Sequence, residues 1–272
     1  MTPPARNGEH VTPVRSPGVP SRAPKWGCRI GETDVVTDIA VRRIDFGYVI
    51  VPGAPDTGEA PHALPCLGYL VVHAHGTLLF DTGIGTSVAV DARYRPRRRA
   101  LDGALAAAGT TVDDITHVAN CHLHYDHCGG NAAFAGRPIF TQRTELAAAR
   151  RTRGYTIPEL VEPTAVTYEE IDGDIEVLPG VLIVPTPGHT DGHQSLVVQR
   201  TDGTIIVAGQ SHDTAMSYGA DVLNSYDHRQ DPSSTLPVPP PWIERLQGMD
   251  PRRVVFAHDN AVWEPSDSIW LS

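Results

Sequence analysis

The stretch "NCHLHYDHCGGN", which begins at position 120, places three histidines and an aspartate within six consecutive positions. In an extended segment, side chains two residues apart point to the same side, so His122 and His124 can reach one point in space. The Gly129-Gly130 pair allows a sharp turn, which lets Asp126 and His127 reach a second point nearby. Imidazole nitrogens and carboxylate oxygens suit zinc and similar divalent ions. The stretch therefore predicts two adjacent metal sites built on one loop.

Two further histidines are candidates for the remaining ligands, because a catalytic zinc ion normally has three protein ligands and a water. His189 lies in "TPGHTDGH", a Pro/Gly turn that follows the apolar run "VLIVP". His258 ends the strand-like run "VVFAHD". Functional sites are often built where strands end. We therefore expect both histidines to join the loop at a centre that holds one or two Zn²⁺ ions.

Strand-like and helix-like segments recur in both halves of the chain. "LGYLVVHAHGTLLFDTG" predicts a β-hairpin that turns at His75-Gly76. "LDGALAAAG", from Leu101 to Gly109, predicts a helix that ends at a glycine, and "TELAAARRTR" predicts a helix with Thr144 as its N-cap. This alternation predicts an α/β fold. Its expected form is a four-layer αββα sandwich, in which two sheets pack face to face and the helices lie outside.

The composition argues against partners that carry many negative charges. The chain of 272 residues has 32 acidic and 22 basic residues, a formal net charge of -10, so neither nucleic acid nor an anionic membrane is an expected partner. The basic stretch "RYRPRRR", from Arg93 to Arg99, is interpreted as solvated surface without a functional role. We expect a small-molecule substrate.

The N-terminal segment and the cysteines bear on domain organisation and compartment. Residues 1–30 contain six prolines and no apolar run of the length that a secretory signal needs, so we expect a flexible N-terminal arm followed by one domain over residues 31–272. The four cysteines form no C-x-x-C pair, which favours a reducing, cytoplasmic compartment.

Four motifs together resemble those of the metallo-β-lactamase superfamily: "LLFDTGIG", "HLHYDHCGGN", "PTPGHTDGH" and "FAHD". The chain is most similar to the N-acyl homoserine lactonase-like hydrolases of that superfamily. The resemblance implies an αββα fold and hydrolysis of a lactone or ester. It also implies two metal sites, one on His122, His124 and His189 and the other on Asp126, His127 and His258. The lactonase resemblance and the N-terminal arm make a homodimer a reasonable expectation.

One position departs from the family pattern. A strand of the family ends in Gly-Asp, and the aspartate bridges both metals, whereas "TIIVAGQSHD" has Gln210 there. Two divalent ions bring four positive charges, which Asp126 and a bridging hydroxide offset by two instead of the usual three. Gln210 still offers a neutral amide oxygen as a ligand, and Asp213 or His212 is close enough in sequence to be recruited. We therefore expect the second ion to bind more weakly than the first.

The predicted activity is the metal-dependent opening of a lactone or ester, in which metal-bound hydroxide attacks the carbonyl carbon. Asp126 is the predicted catalytic residue, which orients the hydroxide and passes its proton to the leaving group. A glyoxalase II-like thioesterase of the same fold is one alternative. A non-catalytic ligand-binding descendant is another, because Gln210 replaces the bridging aspartate.

Overall fold

Among the residues that the structure describes, a mixed seven-stranded sheet forms the N-terminal half of the chain. The structure is a computed structural model, and it describes residues 39–53, 58 and 60–265. The strands of this sheet are β1 Ala40–Val51, β2 His62–His73, β3 Gly76–Phe80, β4 Arg97–Arg98, β5 His117–Ala119, β6 Pro138–Gln142 and β7 Thr167–Ile171. They lie side by side in the order β4-β1-β2-β3-β5-β6-β7. A hairpin joins β2 to β3, as the sequence predicts, but it turns at Ala74-His75, one residue before the predicted His75-Gly76, because His73 pairs with Gly76.

A second sheet of five described strands forms the C-terminal half. Its strands are β8 Ile175–Leu178, β9 Val181–Pro185, β10 Gln194–Val198, β11 Thr204–Val207 and β12 Pro251–Val255, in the order β12-β11-β10-β9-β8. β11 and β12 are parallel, while β10 is antiparallel to both β9 and β11. The strands β9, β11 and β12 therefore run in one direction, and their carboxyl ends share one edge of the sheet.

Alternation along the strands explains why the two sheets pack face to face. In β2, Leu67 and Tyr69 point into a core that also contains residues of the second sheet, such as Ile183. Cys66 and Leu70 point to the opposite side. Both faces of the strand are therefore buried, as expected of a strand in an inner layer.

Helices cover the outer face of each sheet. They are α1 Val88–Tyr94, α2 Leu101–Ala107, α3 Arg143–Arg151, α4 Pro158–Val161, α5 Ala215–Gln230 and α6 Trp242–Gln247. Leu105 of α2 packs on the first sheet, whereas Tyr218 of α5 and Ile243 of α6 pack on the second. The predicted αββα sandwich is therefore confirmed.

Two helix boundaries test the sequence predictions. α2 ends close to the predicted position, and Gly109 follows it in a left-handed conformation with φ +74°. The prediction of Thr144 as an N-cap is wrong, because α3 begins at Arg143 and Gln142 is its N-cap. The Gln142 side chain exchanges two hydrogen bonds with the backbone of Gly173, which fixes the start of the helix against the turn between β7 and β8.

The described residues fall within one compact unit, and the predicted arm, residues 1–30, lies outside the described residues. Within the described part of the chain, none of the helices combines the length and the apolar character needed to cross a bilayer.

Candidate metal centre

Three histidines from two loops converge in a first cluster, consisting of His122, His124 and His189. One ring nitrogen of each lies within 4.8 Å of the others, and Nε2 of His189 is 3.2 Å from Nδ1 of His124. Two nitrogens bound to one tetrahedral zinc ion, at about 2.0–2.1 Å each, are roughly 3.3 Å apart. The observed spacing therefore fits a shared ion.

His122 gives the strongest indication of a missing ligand. Its side chain is fully buried, and its Nε2 atom has no hydrogen-bond partner among the described residues. A buried polar atom without a partner costs about 1–3 kcal/mol. A bound cation would satisfy this atom, so the donor set and the orphaned nitrogen both fit a metal ion.

The protonation of the first cluster suits metal binding. Burial, helped by the neighbouring His127, lowers the pKa of His122 well below its usual value. Burial and the nearby His189 lower the pKa of His124 to about 4. The pKa of His189 is also lowered, mainly by burial. These imidazoles are therefore neutral at pH 7, which is the form that binds a metal.

A second cluster lies beside the first and contains Asp126, His127, His258 and Gln210. Oδ2 of Asp126 is 3.6 Å from Nε2 of His127 and 3.6 Å from Nε2 of His258. The two imidazole Nε2 atoms are 3.2 Å apart. Oε1 of Gln210 lies 3.2 Å from Nε2 of His127. Four possible ligand atoms thus face one small volume, and one of these four belongs to a carboxylate.

Strand ends bring both clusters together. The loop that carries His122 follows β5, while His189, Gln210 and His258 follow β9, β11 and β12. Two backbone hydrogen bonds of 2.8 Å, from Gln194 to Cys121 and from Leu67 to Ala257, join the two sheets next to the ligand loops. The expectation that the histidines lie at strand ends is therefore met by the fold.

Hydrogen-bond acceptors behind the imidazoles orient the second cluster. Nδ1 of His127 lies 3.0 Å from Oδ2 of Asp81, whose other oxygen accepts from the backbone N–H of Cys121. Nδ1 of His258 donates to the carbonyl of Pro65 at 2.7 Å. These bonds leave both Nε2 atoms facing the cluster, as second-sphere acceptors do in metal sites. Burial lowers the pKa of His127, but the nearby Cys121, Asp126 and Asp81 outweigh it and raise the pKa well above its usual value.

A different buried carboxylate supports the first cluster. Glu145 of α3 is 0% exposed. It accepts hydrogen bonds from the backbone N–H of Leu123 at 2.7 Å, the hydroxyl of Tyr155 at 2.5 Å and the hydroxyl of Thr190 at 2.8 Å. Leu123 stands between His122 and His124, and Thr190 follows His189. One side chain thus holds both loops that supply the first cluster.

With this geometry established, the comparisons with known proteins identify the family. The family model for the metallo-beta-lactamase superfamily matches residues 63–258. The chain belongs to the metallo-beta-lactamase superfamily. It is 37% identical over 149 residues to an N-acyl homoserine lactonase of Bacillus sp and 38% identical over 149 residues to the lactonase AiiA of Bacillus thuringiensis subsp. kurstaki. Each match covers 50% of this chain and 59% of the relative, so the matched segment spans less than two thirds of those relatives.

A solved structure of the superfamily extends the likeness over more of the chain. The structure of an N-acyl homoserine lactone hydrolase, with the product N-hexanoyl-L-homoserine bound at its catalytic metal centre, superposes with a TM-score of 0.61. The sequences are 26% identical, and the match covers 82% of this chain and 94% of the other.

Gln210, which the resemblance puts at the position of the family's bridging aspartate, lies three residues after the end of β11. Gly209 places it there by adopting a left-handed conformation with φ +58°, where a Cβ atom would lie only 2.5 Å from Cβ of Cys121. Nε2 of Gln210 donates to Oδ1 of Asp213 at 3.2 Å. His212 has other partners, since its Nε2 lies 3.1 Å from Oδ2 of Asp221.

A groove of about 560 Å³ opens beside the metallo-beta-lactamase centre at His124. Residues of α1 and of segment 154–159 form its walls, and they include Ile157 and the Tyr94–Tyr125 pair, whose rings stack at 5.4 Å. Arg93, which the sequence pattern indicated as surface without a role, also lines it. The groove therefore reaches the first cluster at His124.

The structure brings together all seven side chains that the sequence proposed as ligands: His122, His124, Asp126, His127, His189, Gln210 and His258. Sequence reasoning missed three supporting residues. Asp81 was within reach, because it ends a strand in the quoted motif "LLFDTG". Glu145 carried no signal, because an acidic residue in a short helix usually faces solvent. Cys121 is the third, and its Sγ lies 3.1 Å from Nδ1 of His122 and 3.2 Å from Nδ1 of His127.

Proposed function

We propose that this protein is a metal-dependent hydrolase that opens a lactone or a related ester, with Zn²⁺ as its ion. The orphaned Nε2 atom of His122 within a converging set of imidazoles is the observation that carries the proposal. The similarity to N-acyl homoserine lactonases supports the choice of substrate class. Nitrogen ligands with a single carboxylate favour zinc over Mg²⁺ or Ca²⁺, which prefer oxygen ligands.

The ligand roles follow the two clusters. His122, His124 and His189 would hold one ion. Asp126, His127 and His258 would hold the other, with the amide oxygen of Gln210. When bound, zinc supplies Lewis-acid chemistry, since it lowers the pKa of a coordinated water towards 7 and polarises a carbonyl.

Asp126 is the proposed catalytic residue. Burial raises its pKa, but His127 and His258 outweigh this effect and lower the pKa below its usual value. The carboxylate is therefore ionised at pH 7. Only 10% of the side chain is exposed, which keeps bulk water from competing for its oxygens. Asp126 would take the proton of the attacking water and deliver it to the departing alkoxide oxygen.

The groove beside His124 is the proposed binding place for the acyl part of the substrate. Its aromatic and aliphatic wall suits an acyl chain, because apolar area removed from water stabilises the complex by about 25 cal/mol per Å². The lactone carbonyl would then lie over the metal centre.

A cytoplasmic compartment and a homodimer remain predictions from the sequence.

The test of this function combines metal removal with a substrate panel. Purified protein is stripped with a chelator, reloaded with Zn²⁺ and assayed with a pH indicator against acyl lactones, linear esters and thioesters. We expect acid release from lactones that disappears on stripping and returns with zinc. Preferential cleavage of thioesters would favour the thioesterase alternative. A protein that binds no zinc and releases no acid would overturn the proposal.

A matched pair of variants separates the centre from the rest of the molecule. Asp126→Ala is expected to lose hydrolysis while retaining zinc in the first cluster. His228→Ala is the control, since His228 lies on α5 and bonds the carbonyl of Leu236. It should retain full turnover.

A further inference from the structure

The side-chain amide of Gln210 has a polar neighbour on each of its two ends. A carboxylate is purely an acceptor, so Oδ1 of Asp213 requires the NH₂ group of Gln210, which it meets at 3.2 Å. The amide oxygen must then point the opposite way, where it lies 3.2 Å from Nε2 of His127. Without the Asp213 acceptor, the amide of Gln210 could rotate by half a turn. It would then present its NH₂ group to the second cluster, and an NH₂ group repels a cation.

The backbone of Gln210 is held independently. Its N–H donates to Nε2 of the buried His193 at 3.1 Å, and Nδ1 of His193 lies 2.9 Å from the hydroxyl of Thr186. Because the main chain is fixed in this way, the torsion of the Gln210 side chain is the remaining freedom. The bond to Asp213 restricts it.

Asp213 also places a carboxylate beside the second cluster, because its Oδ1 accepts from the amide of Gln210 at 3.2 Å. The side chain of Asp213 is exposed, so it can be replaced without opening a cavity in the core.

We propose that Asp213 is a positioning residue which makes Gln210 a ligand of the second ion, and that the pair replaces the bridging aspartate of the superfamily pattern. The amide of Gln210 contributes the ligand oxygen. Asp213 orients that amide and contributes a negative charge without itself being a ligand. This inference rests on the proposed function, because it assumes that zinc binds at the two clusters.

The test measures the affinity for each of two equivalents of Zn²⁺ by titration of stripped protein against a chromophoric chelator. Loss of a second-sphere partner typically weakens metal affinity about 10- to 100-fold. We expect a loss of this size for the second ion in Asp213→Ala, with the affinity for the first ion unchanged within about threefold. Asp213→Asn keeps an acceptor for the NH₂ group of Gln210, so its loss should be smaller.

Asp191→Ala is the control for a general charge effect. Asp191 is an exposed carboxylate two residues beyond His189. It should leave the affinity for the second ion unchanged, because it does not orient Gln210. Equal losses of affinity for the second ion in the Asp191 and Asp213 variants would overturn the proposal. Such a result would reflect only the net charge around the two clusters.

Gln210→Asp provides the decisive background. An aspartate at this position binds without an orienting neighbour, so Asp213→Ala should have less than about a third of its original effect on log affinity there. An undiminished effect would show that Asp213 does not act through Gln210.

If the unaltered protein binds two ions and Asp213→Ala changes the affinity for neither, this inference fails while the proposed function stands. If it binds a single ion and still hydrolyses lactones, the inference fails in the same way. Failure to bind any zinc would remove the proposed function itself.

Discussion

The two clusters occupy the same edge of the fold but are supported in opposite ways. The first consists of three neutral imidazoles, and a fully buried carboxylate, Glu145, holds both of its loops. The second contains an ionised carboxylate, Asp126, and also Gln210, whose amide donates to the exposed Asp213. Solvent screens an exposed charge far more than a buried one. An ion held by the first cluster would therefore lie in a rigid site, whereas an ion held by the second would respond more to its surroundings.

Under the proposed function, this difference shows how a two-metal centre could keep its other ligands without a bridging carboxylate. Asp81 still orients His127 from below, and Pro65 still orients His258. Those contacts do not involve the altered position. A neutral Gln210 would thus leave less negative charge for a second ion, while the contacts of His127 with Asp81 and of His258 with Pro65 do not depend on it.

The largest expected effect comes from removing one imidazole from each cluster in turn. His122→Ala should abolish lactone hydrolysis and the tighter of the two zinc-binding events, because it removes a ligand of the buried site. His258→Ala should eliminate only the weaker event and leave one zinc ion per chain. Zinc content after gel filtration, measured together with turnover, checks both expectations. If both variants lost the same binding event, the division into two clusters would be wrong.

Glu145→Ala addresses the support of the first cluster. Two buried donors, the N–H of Leu123 and the hydroxyl of Thr190, lose their acceptor, as does the half-buried Tyr155. At about 1–3 kcal/mol for each buried donor, this destabilises the metal-free fold by about 2 kcal/mol or more. We expect the affinity for the first ion to fall about 10- to 100-fold as well. Urea unfolding of the stripped protein and zinc competition measure the two effects separately.

The matched control for this variant is Leu105→Ala, which removes a fully buried side chain of α2. Such a change costs about 2–5 kcal/mol of stability, but Leu105 packs between α2 and the first sheet rather than beneath the ligand loops. Its zinc affinity should be normal. If Leu105→Ala also lowered the affinity for the first ion about tenfold, loss of stability alone would explain the result for Glu145→Ala.

The sequence was a better guide to the ligands than to what holds them. His122 and His124 were found from their spacing, although the structure places both in bends after β5 rather than in an extended segment. Strand ends are visible as apolar runs that stop a few residues before His189 and His258. Glu145 could not be predicted, because its role depends on α3 lying beneath two loops that are remote in the chain. The start of α3 was misjudged for the same reason. A tertiary contact of Gln142, rather than the local preference of Thr144, fixes it.

The smallest expected effects come from two glycines that differ in their surroundings. Gly209 precedes Gln210 in a left-handed conformation, and a Cβ atom there would lie 2.5 Å from Cβ of Cys121 and 3.1 Å from Nε2 of His193. Gly209→Ala should therefore destabilise the fold by about 2 kcal/mol, from backbone strain and overpacking. It should also weaken the binding of the second ion, because Gln210 must shift.

Gly103 lies inside α2, where a Cβ atom would meet no described atom within 4 Å beyond its own helix and chain neighbours. Gly103→Ala should therefore stabilise the protein by about 0.5–1 kcal/mol. Thermal unfolding of both variants, with and without zinc, measures the contrast. A harmless Gly209→Ala would mean that the strand end which presents Gln210 is looser than the second cluster requires.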